Sequence, residues 1–103
     1  MYNGKPVTSI KQVAFAGNTI IRSVYISDNV TKIGNSAFNN IPCLTWVRLG
    51  AKIENVDNYA FEKSPIEKLI ISNTYFTCGS YPFETPTDVY YKGTEDEWSI
   101  LIK

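Results

Sequence analysis

The chain has 103 residues, of which ten are basic and ten acidic, so its formal net charge at pH 7 is zero. This length supports one domain with a modest core. A neutral chain has no long-range field to hold a polyanion, and its apolar runs are shorter than the roughly 20 residues that cross a bilayer. We therefore predict neither nucleic-acid binding nor membrane insertion. Because the first residues lack the apolar region of a signal peptide, we expect the chain as written to be soluble and not exported.

A pattern of apolar residues recurs along the chain at steps of 23, 23 and 22 residues. The repeated landmarks are Val7, Val30, Ile53 and Tyr75, then Ile10, Ile33, Val56 and Cys78, then Phe15, Phe38, Phe61 and Phe83, each of the first three Phe residues following an Ala. Three landmarks that stay in register over three steps indicate internal repeats. We divide the chain into unit one (about 7–29), unit two (30–52), unit three (53–74) and unit four (75–93).

Each unit combines two local patterns. It closes with an alternation of apolar and other residues, "IRSVYIS", "LTWVRLG", "IEKLIIS" and "PTDVYYK", which predicts strands at about 23–27, 46–50, 68–72 and 88–92. The stretch around each Ala-Phe pair is too short for a stable free helix and predicts one helical or 3₁₀ turn fixed by its Phe. Small and Asx residues at 27–29 and 50–52 predict tight turns.

Stacking of these units predicts a solenoid. One unit cannot bury its own apolar residues, but stacked units place equivalent residues about 4.8 Å apart in a continuous core. The four strands then form one parallel sheet, with Phe15, Phe38, Phe61 and Phe83 stacked beneath it. A β-sandwich would need turns every 8 to 12 residues or so, which the register does not provide.

The two ends of the predicted solenoid differ. At the C-terminus, "TEDE" reads as a capping box with Thr94 as N-cap, and Trp98 begins an apolar helical face, so we predict a helical cap over 94–103 that completes a single domain, 1–103. The N-terminal residues supply no such cover, and we expect the end at Val7 and Ile10 to be open. Either the chain is the C-terminal part of a longer array, or this end pairs with another copy or another protein.

The repeats resemble the BspA-like leucine-rich repeats, whose units read roughly as VTSIGxxAFxxCxxLxxVxIPxx. "VTKIGNSAFNNIPCLTWVRLG" in unit two matches well, and "VTSIKQVAFAGNTIIRSVYIS" in unit one matches apart from Lys11 at the usual Gly. The resemblance implies a right-handed leucine-rich-repeat solenoid of about 3.5 to 4 repeats, with a parallel sheet on one face and short helical or 3₁₀ turns on the other. It also implies a bacterial or protozoan protein, on the cell surface or secreted, that acts in adhesion.

Residues that carry chemistry are sparse. There is no His, and the Ser, Thr and Lys residues lack a base at a suggestive spacing, so we predict no enzyme activity. Cys43 and Cys78 lack CxxC spacing, and we predict neither a metal site nor a cofactor. Since Cys78 falls on an inward position and Cys43 on a loop about one and a half repeats away, we predict no disulfide.

The outward side of the predicted sheet is the candidate binding surface. Because Val47 and Leu49 point inward, alternation places two ladders outward: Tyr25, Arg48, Ile70 and Tyr90, and Ser23, Trp46, Lys68 and Asp88. Tyr, Trp and Arg dominate binding hot spots, although aromatic residues also simply suit strands. The four strands of this sheet span roughly 14 Å, which is enough for part of a protein, a peptide or a glycan. Two functions remain open: recognition through this face, or assembly through the open N-terminal end, including a homo-oligomer.

Overall fold

The computed structural model describes residues 7–73, 76–83 and 88–91, which form eight short strands. The strands are β1 (Ser9–Ile10), β2 (Ser23–Tyr25), β3 (Lys32–Ile33), β4 (Trp46–Leu49), β5 (Asn55–Val56), β6 (Lys68–Ile71), β7 (Thr77–Cys78) and β8 (Asp88–Tyr91). They build two four-stranded sheets, in the orders β1-β3-β5-β7 and β2-β4-β6-β8. Every neighbouring pair is parallel, so the chain advances by one strand of each sheet per turn of a solenoid.

The sheet formed by β2, β4, β6 and β8 confirms the predicted parallel sheet. Its register joins Ser23 to Trp46 and then to Lys68, at the steps that the repeat requires. In β4, Val47 is fully buried while Trp46 is half-buried, as expected for a strand with one face on the core.

The second sheet was not predicted. Each of its strands has two residues, and in β3 Lys32 is exposed whereas Ile33 is fully buried. Two residues are too few to show an alternation in the sequence. The buried Ile therefore looked like an isolated core position, while its backbone pairs with the units on both sides.

The Ala-Phe segments differ from the predicted helical turn, since the described residues contain no α- or 3₁₀-helix. In unit two the N–H groups of Ala37 and Asn39 donate to carbonyls three residues earlier, at 3.2 Å each, as in a turn. The N–H groups of Ser36, Phe38 and Asn40 instead donate to unit three, at 2.9, 2.7 and 2.8 Å. Every second N–H group of this segment thus donates to the next unit instead of to a carbonyl within the turn.

A left-handed backbone conformation causes this alternation. It recurs at two equivalent positions per unit: Val13, Ser36, Tyr59 and Tyr81 at the first, and Gly17, Asn40 and Lys63 at the second. A residue with positive φ breaks the run of right-handed conformations that a helix needs. The segment consequently becomes a flattened turn whose backbone can pair with the units beside it.

The core is a set of stacked side-chain columns. The rings of Phe15, Phe38, Phe61 and Phe83 stack with centroid separations of 5.2, 5.0 and 5.2 Å, which confirms the predicted column. The buried apolar residues are Val24, Ile26, Val30, Ile33, Ala37, Phe38, Ile41, Leu44, Val47, Leu49, Ile53, Val56, Ala60, Phe61, Ile66, Leu69, Ile71 and Phe76. Burial of this set holds the units together, since no unit has a core of its own.

Two small residues bring neighbouring units into close contact. Ser64 is fully buried, and its hydroxyl donates to the carbonyl of Phe38 at 2.7 Å and accepts from the N–H of Ile41 at 3.1 Å. Gly34 lies against the preceding unit, where an added Cβ would come within 2.5 Å of the backbone nitrogen of Gln12. Each contact lets the backbones of adjacent units approach closely.

The predicted helical cap over 94–103 lies outside the described residues. Within the described part of the chain, no helix is long and apolar enough to cross a membrane.

Candidate functional site

The strand face is the side of the sheet β2-β4-β6-β8 that points away from the core. Its two ladders follow the strand register, which aligns Tyr25, Arg48, Ile70 and Tyr90 in one row and Ser23, Trp46, Lys68 and Asp88 in the other. The end positions are the most exposed, with 62% of Tyr25 and 54% of Tyr90 accessible to solvent. The four central residues are half-buried.

Arg48 is fixed by two neighbours on this face. Its guanidinium carbon lies 4.6 Å from the centre of the Tyr25 ring, within the range of a cation–π interaction. Its Nη1 lies 3.7 Å from Oδ1 of Asp28, and the same carboxylate oxygen accepts a hydrogen bond from the N–H of Ala51 at 2.8 Å. Only 22% of the Arg48 side chain is exposed. The guanidinium therefore lies over the ring of Tyr25, and the Asp28 carboxylate partly balances its charge.

Lys68, on the neighbouring strand β6, makes a similar contact with the ring of Tyr90 on β8. Its amino group lies 5.1 Å from the centre of the Tyr90 ring. The strand face thus carries a cation on an aromatic ring near each of its ends, with half-buried Ile70 between Arg48 and Tyr90. Such a surface offers flat rings for stacking beside fixed hydrogen-bond donors.

The other three positions, Ser23, Trp46 and Asp88, lie with Lys68 in the second ladder, beside this row. Trp46 is half-buried beside Val47 and does not enter the core, while Asp88 and Ser23 are exposed at the two edges. Trp46 therefore keeps part of its side chain accessible to solvent on the strand face.

The N-terminal face is the side of unit one that points away from unit two. Its apolar residues are more exposed to solvent than the equivalent residues of unit two. Val7 is 41% exposed whereas its equivalent Val30 is 4% exposed, and Phe15 is 42% exposed whereas Phe38 is 3% exposed. Ile10 is half-buried. Apolar residues that are core in the other units thus face solvent in unit one.

Two features of the surface were not found from the sequence. Asp28 lies in the turn after β2, and only the fold brings it to Arg48, twenty positions later. Tyr59 and Tyr81 stack at 6.1 Å on the turn side of the solenoid, and both are exposed. The repeat register does align these two tyrosines, so the sequence contained the signal for this pair.

The cysteines have different environments. Both are free thiols, Cys43 exposed and Cys78 half-buried, and burial raises the pKa of the Cys78 thiol to about 12. Within the described ranges, His, Cys, Asp and Glu side chains form no group of three or more that could hold a metal ion.

Comparison with known proteins places this geometry in a family. The family model of the BspA type leucine rich repeat region matches residues 7–91, in six copies, and this range contains all eight strands. No curated protein and no solved structure matches the chain. Repeat modules of this kind often bind other proteins. The chain belongs to the BspA-type leucine-rich repeat family.

Proposed function

We propose that the protein is a non-catalytic recognition module that binds a protein segment, peptide or glycan on the strand face. The observation that carries the proposal is the row Tyr25–Arg48–Ile70–Tyr90, in which two exposed rings each hold a cation at 4.6 or 5.1 Å. Aromatic and Arg side chains supply most of the binding energy in interfaces, and here they are held in register by the sheet.

The size and charge of the strand face restrict its ligand. Four strands about 4.8 Å apart give a row of roughly 14 Å, which suits a short extended peptide or a few sugar rings. Arg48 pairs with Asp28, and Asp88 lies opposite Lys68 in the strand register, so positive and negative charges on this surface are equal in number and it has no net field for a polyanion. A larger partner would need further surface elsewhere on the molecule.

The test begins with screens of the 103-residue chain against an immobilised glycan array and a peptide library. The double variant Tyr25→Ser, Trp46→Ser is then compared with the original chain for the best binder. We expect the variant to lose at least about 1 kcal/mol of binding free energy, about a fivefold change in Kd. Circular dichroism and the melting temperature report whether half-buried Trp46 also affects folding.

Tyr81→Ser provides the matched control, because Tyr81 is 68% exposed but lies on the turn side. We expect this variant to bind as the original chain does. Unchanged binding by the double variant, or an equal loss in Tyr81→Ser, would remove the strand face as the recognition surface.

Assembly is the second candidate function, and the exposure of Val7 and Phe15 favours it. In this case the N-terminal face, rather than the strand face, makes the contact. A charged residue at Val7 would then weaken association while leaving the strand face intact.

A further inference from the structure

Two exposed tyrosine rings lie against each other on the turn side of the solenoid. The ring centroids of Tyr59 and Tyr81 are 6.1 Å apart, and the ring planes are inclined by 10°. Tyr59 is 37% exposed and Tyr81 is 68% exposed, so part of each side chain remains open to solvent. The equivalent positions in units one and two are Val13 and Ser36. The stacked tyrosine pair is therefore a feature of units three and four, and the first two units do not repeat it.

The backbone holds the two tyrosines in register. The N–H of Tyr59 donates to the carbonyl of Ser80 at 2.9 Å, and the N–H of Phe61 donates to the carbonyl of Pro82 at 2.8 Å. These two bonds join unit three to unit four on both sides of Tyr81. Both tyrosines have a left-handed backbone, with φ of 58° and 49°, so their side chains leave equivalent conformations in the same direction. Groups that are held side by side in this way react with each other at a high effective concentration.

We propose that Tyr59 and Tyr81 form a site of oxidative coupling, at which a haem peroxidase and hydrogen peroxide convert the two rings into a dityrosine. Each phenol gives up one electron and its hydroxyl proton and becomes a phenoxyl radical. The two radicals form a carbon–carbon bond between one Cε atom of each ring, and the hydrogen on each of these carbons then moves to the phenolic oxygen. The released electrons and protons reduce one hydrogen peroxide to two waters. The protein thus loses two hydrogen atoms in all.

The other exposed tyrosines of the described residues are not placed for this reaction within one chain. Tyr25 and Tyr90 lie on the two outer strands of the sheet β2-β4-β6-β8, roughly 14 Å apart. Their rings lie beside Arg48 and Lys68 rather than beside another phenol. Coupling through these two tyrosines would require a second copy of the chain and would give dimers. The stacked pair, in contrast, predicts a product that stays monomeric.

The product joins units three and four covalently. The new bond closes a loop between positions 59 and 81, and a cross-link of this kind lowers the entropy of the unfolded chain. The oxidised monomer should therefore unfold at a higher urea concentration than the unoxidised chain. This staple lies on the turn side and does not depend on a ligand at the strand face.

The test treats the full chain, in a Cys43→Ser background, with a haem peroxidase and hydrogen peroxide. The substitution removes an exposed thiol that would compete for the oxidant. We expect dityrosine fluorescence, a monomer that has lost two hydrogen atoms, and a link between Tyr59 and Tyr81 in tandem mass spectrometry. The yield per chain should stay constant over a roughly tenfold dilution, because the reaction occurs within one molecule.

Two conservative variants separate this pair from the other tyrosines. Tyr59→Phe keeps a ring at the site but removes the phenol, and it should abolish the coupled monomer. Tyr90→Phe is the matched control and should leave the yield unchanged, since Tyr90 lies on the strand face.

Four results would overturn the proposal: no dityrosine, coupling found only in dimers, a coupled monomer that survives Tyr59→Phe, or a link between other tyrosines. A linked monomer with an unchanged urea midpoint would overturn the stapling of units three and four.

Discussion

Ser64 offers the sharpest test of how the units are joined. Its hydroxyl connects two backbone groups of unit two, the carbonyl of Phe38 and the N–H of Ile41, at a position with no solvent exposure. Ser64→Ala removes both hydrogen bonds and leaves both backbone groups without this partner in the core. Each buried group that loses its partner costs about 1–3 kcal/mol, so with two such groups we expect a loss of roughly 2–6 kcal/mol of unfolding free energy.

This loss is large for a chain of this size, whose total stability is about 5–15 kcal/mol. Urea denaturation followed by circular dichroism measures it directly, and hydrogen exchange at Ile41 shows whether its amide loses protection. Ser64→Cys should cost less than Ser64→Ala, because a thiol keeps a weak donor and acceptor at the same place. Ser23→Ala, an exposed strand position, serves as the control and should change stability by less than about 0.5 kcal/mol.

Two results would contradict this role of Ser64: a cost below about 0.5 kcal/mol for Ser64→Ala, or an Ile41 amide that stays as protected as in the original chain. Either result would mean that the hydroxyl does not join the two units.

Three further predictions concern backbone geometry and thiol chemistry. Gly34→Ala should destabilise the fold by about 1–3 kcal/mol in urea denaturation, because its methyl group would press on the backbone of Gln12; a neutral effect would show that the units can separate there. Val13→Gly should raise stability by about 0.5–1 kcal/mol, since Val13 is β-branched, exposed and left-handed at φ 50°. Val13→Ala keeps the Cβ and should gain less, whereas a loss in the Gly variant would contradict the argument. Iodoacetamide at pH 8, read by mass spectrometry, should label Cys43 and spare Cys78, whose pKa of about 12 leaves roughly one thiol in 10,000 ionised. Equal labelling of the two thiols in the folded protein would contradict the burial of Cys78.

The repeat register predicted the main sheet and the Phe column because both depend on long-range spacing. Phe38 and Phe61 recur at one step with an Ala before each, and alternation identifies Val47 as inward. A period that places like residues one above another leaves few other ways to bury them. For this part of the fold, spacing alone was sufficient.

Local backbone conformation was harder to predict. Nothing in the residue types of Ser36 or Tyr59 signals a left-handed φ, and among the equivalent positions Gly17 and Asn40 alone are residue types that favour it. Pairing with adjacent units stabilises these conformations, through bonds such as that from the N–H of Ser36 to the carbonyl of Asn58 at 2.9 Å. Because the stabilisation comes from the neighbouring unit, the sequence of one segment predicted a helical turn instead.

For the candidate site, too, the sequence predicted one part and missed another. The outward positions of Tyr25 and Arg48 followed from alternation, but the position of Asp28 beside Arg48 depends on the turn that returns the chain to the sheet. In the proposed recognition role, this ion pair restricts the charge of the ligand that the strand face would bind. An unbalanced Arg would favour an anionic ligand, whereas an Arg that is paired with Asp28 and lies over the ring of Tyr25 has little charge left to attract one.

Rigidity is the property that connects the core to the proposed function. Val47 and Leu69 are fully buried directly beneath the strand face, and parallel pairing on both sides fixes the backbone of β4 and β6. Their outward neighbours Arg48 and Lys68 are each held on an aromatic ring before any ligand arrives. Binding of a ligand would then cost little further side-chain entropy. Most of the free energy gained from contacts with the row of four residues would therefore contribute to affinity. Because the surface is also balanced in charge, this energy comes mainly from ring contacts and short-range hydrogen bonds. A neutral peptide or sugar satisfies these demands better than a charged polymer.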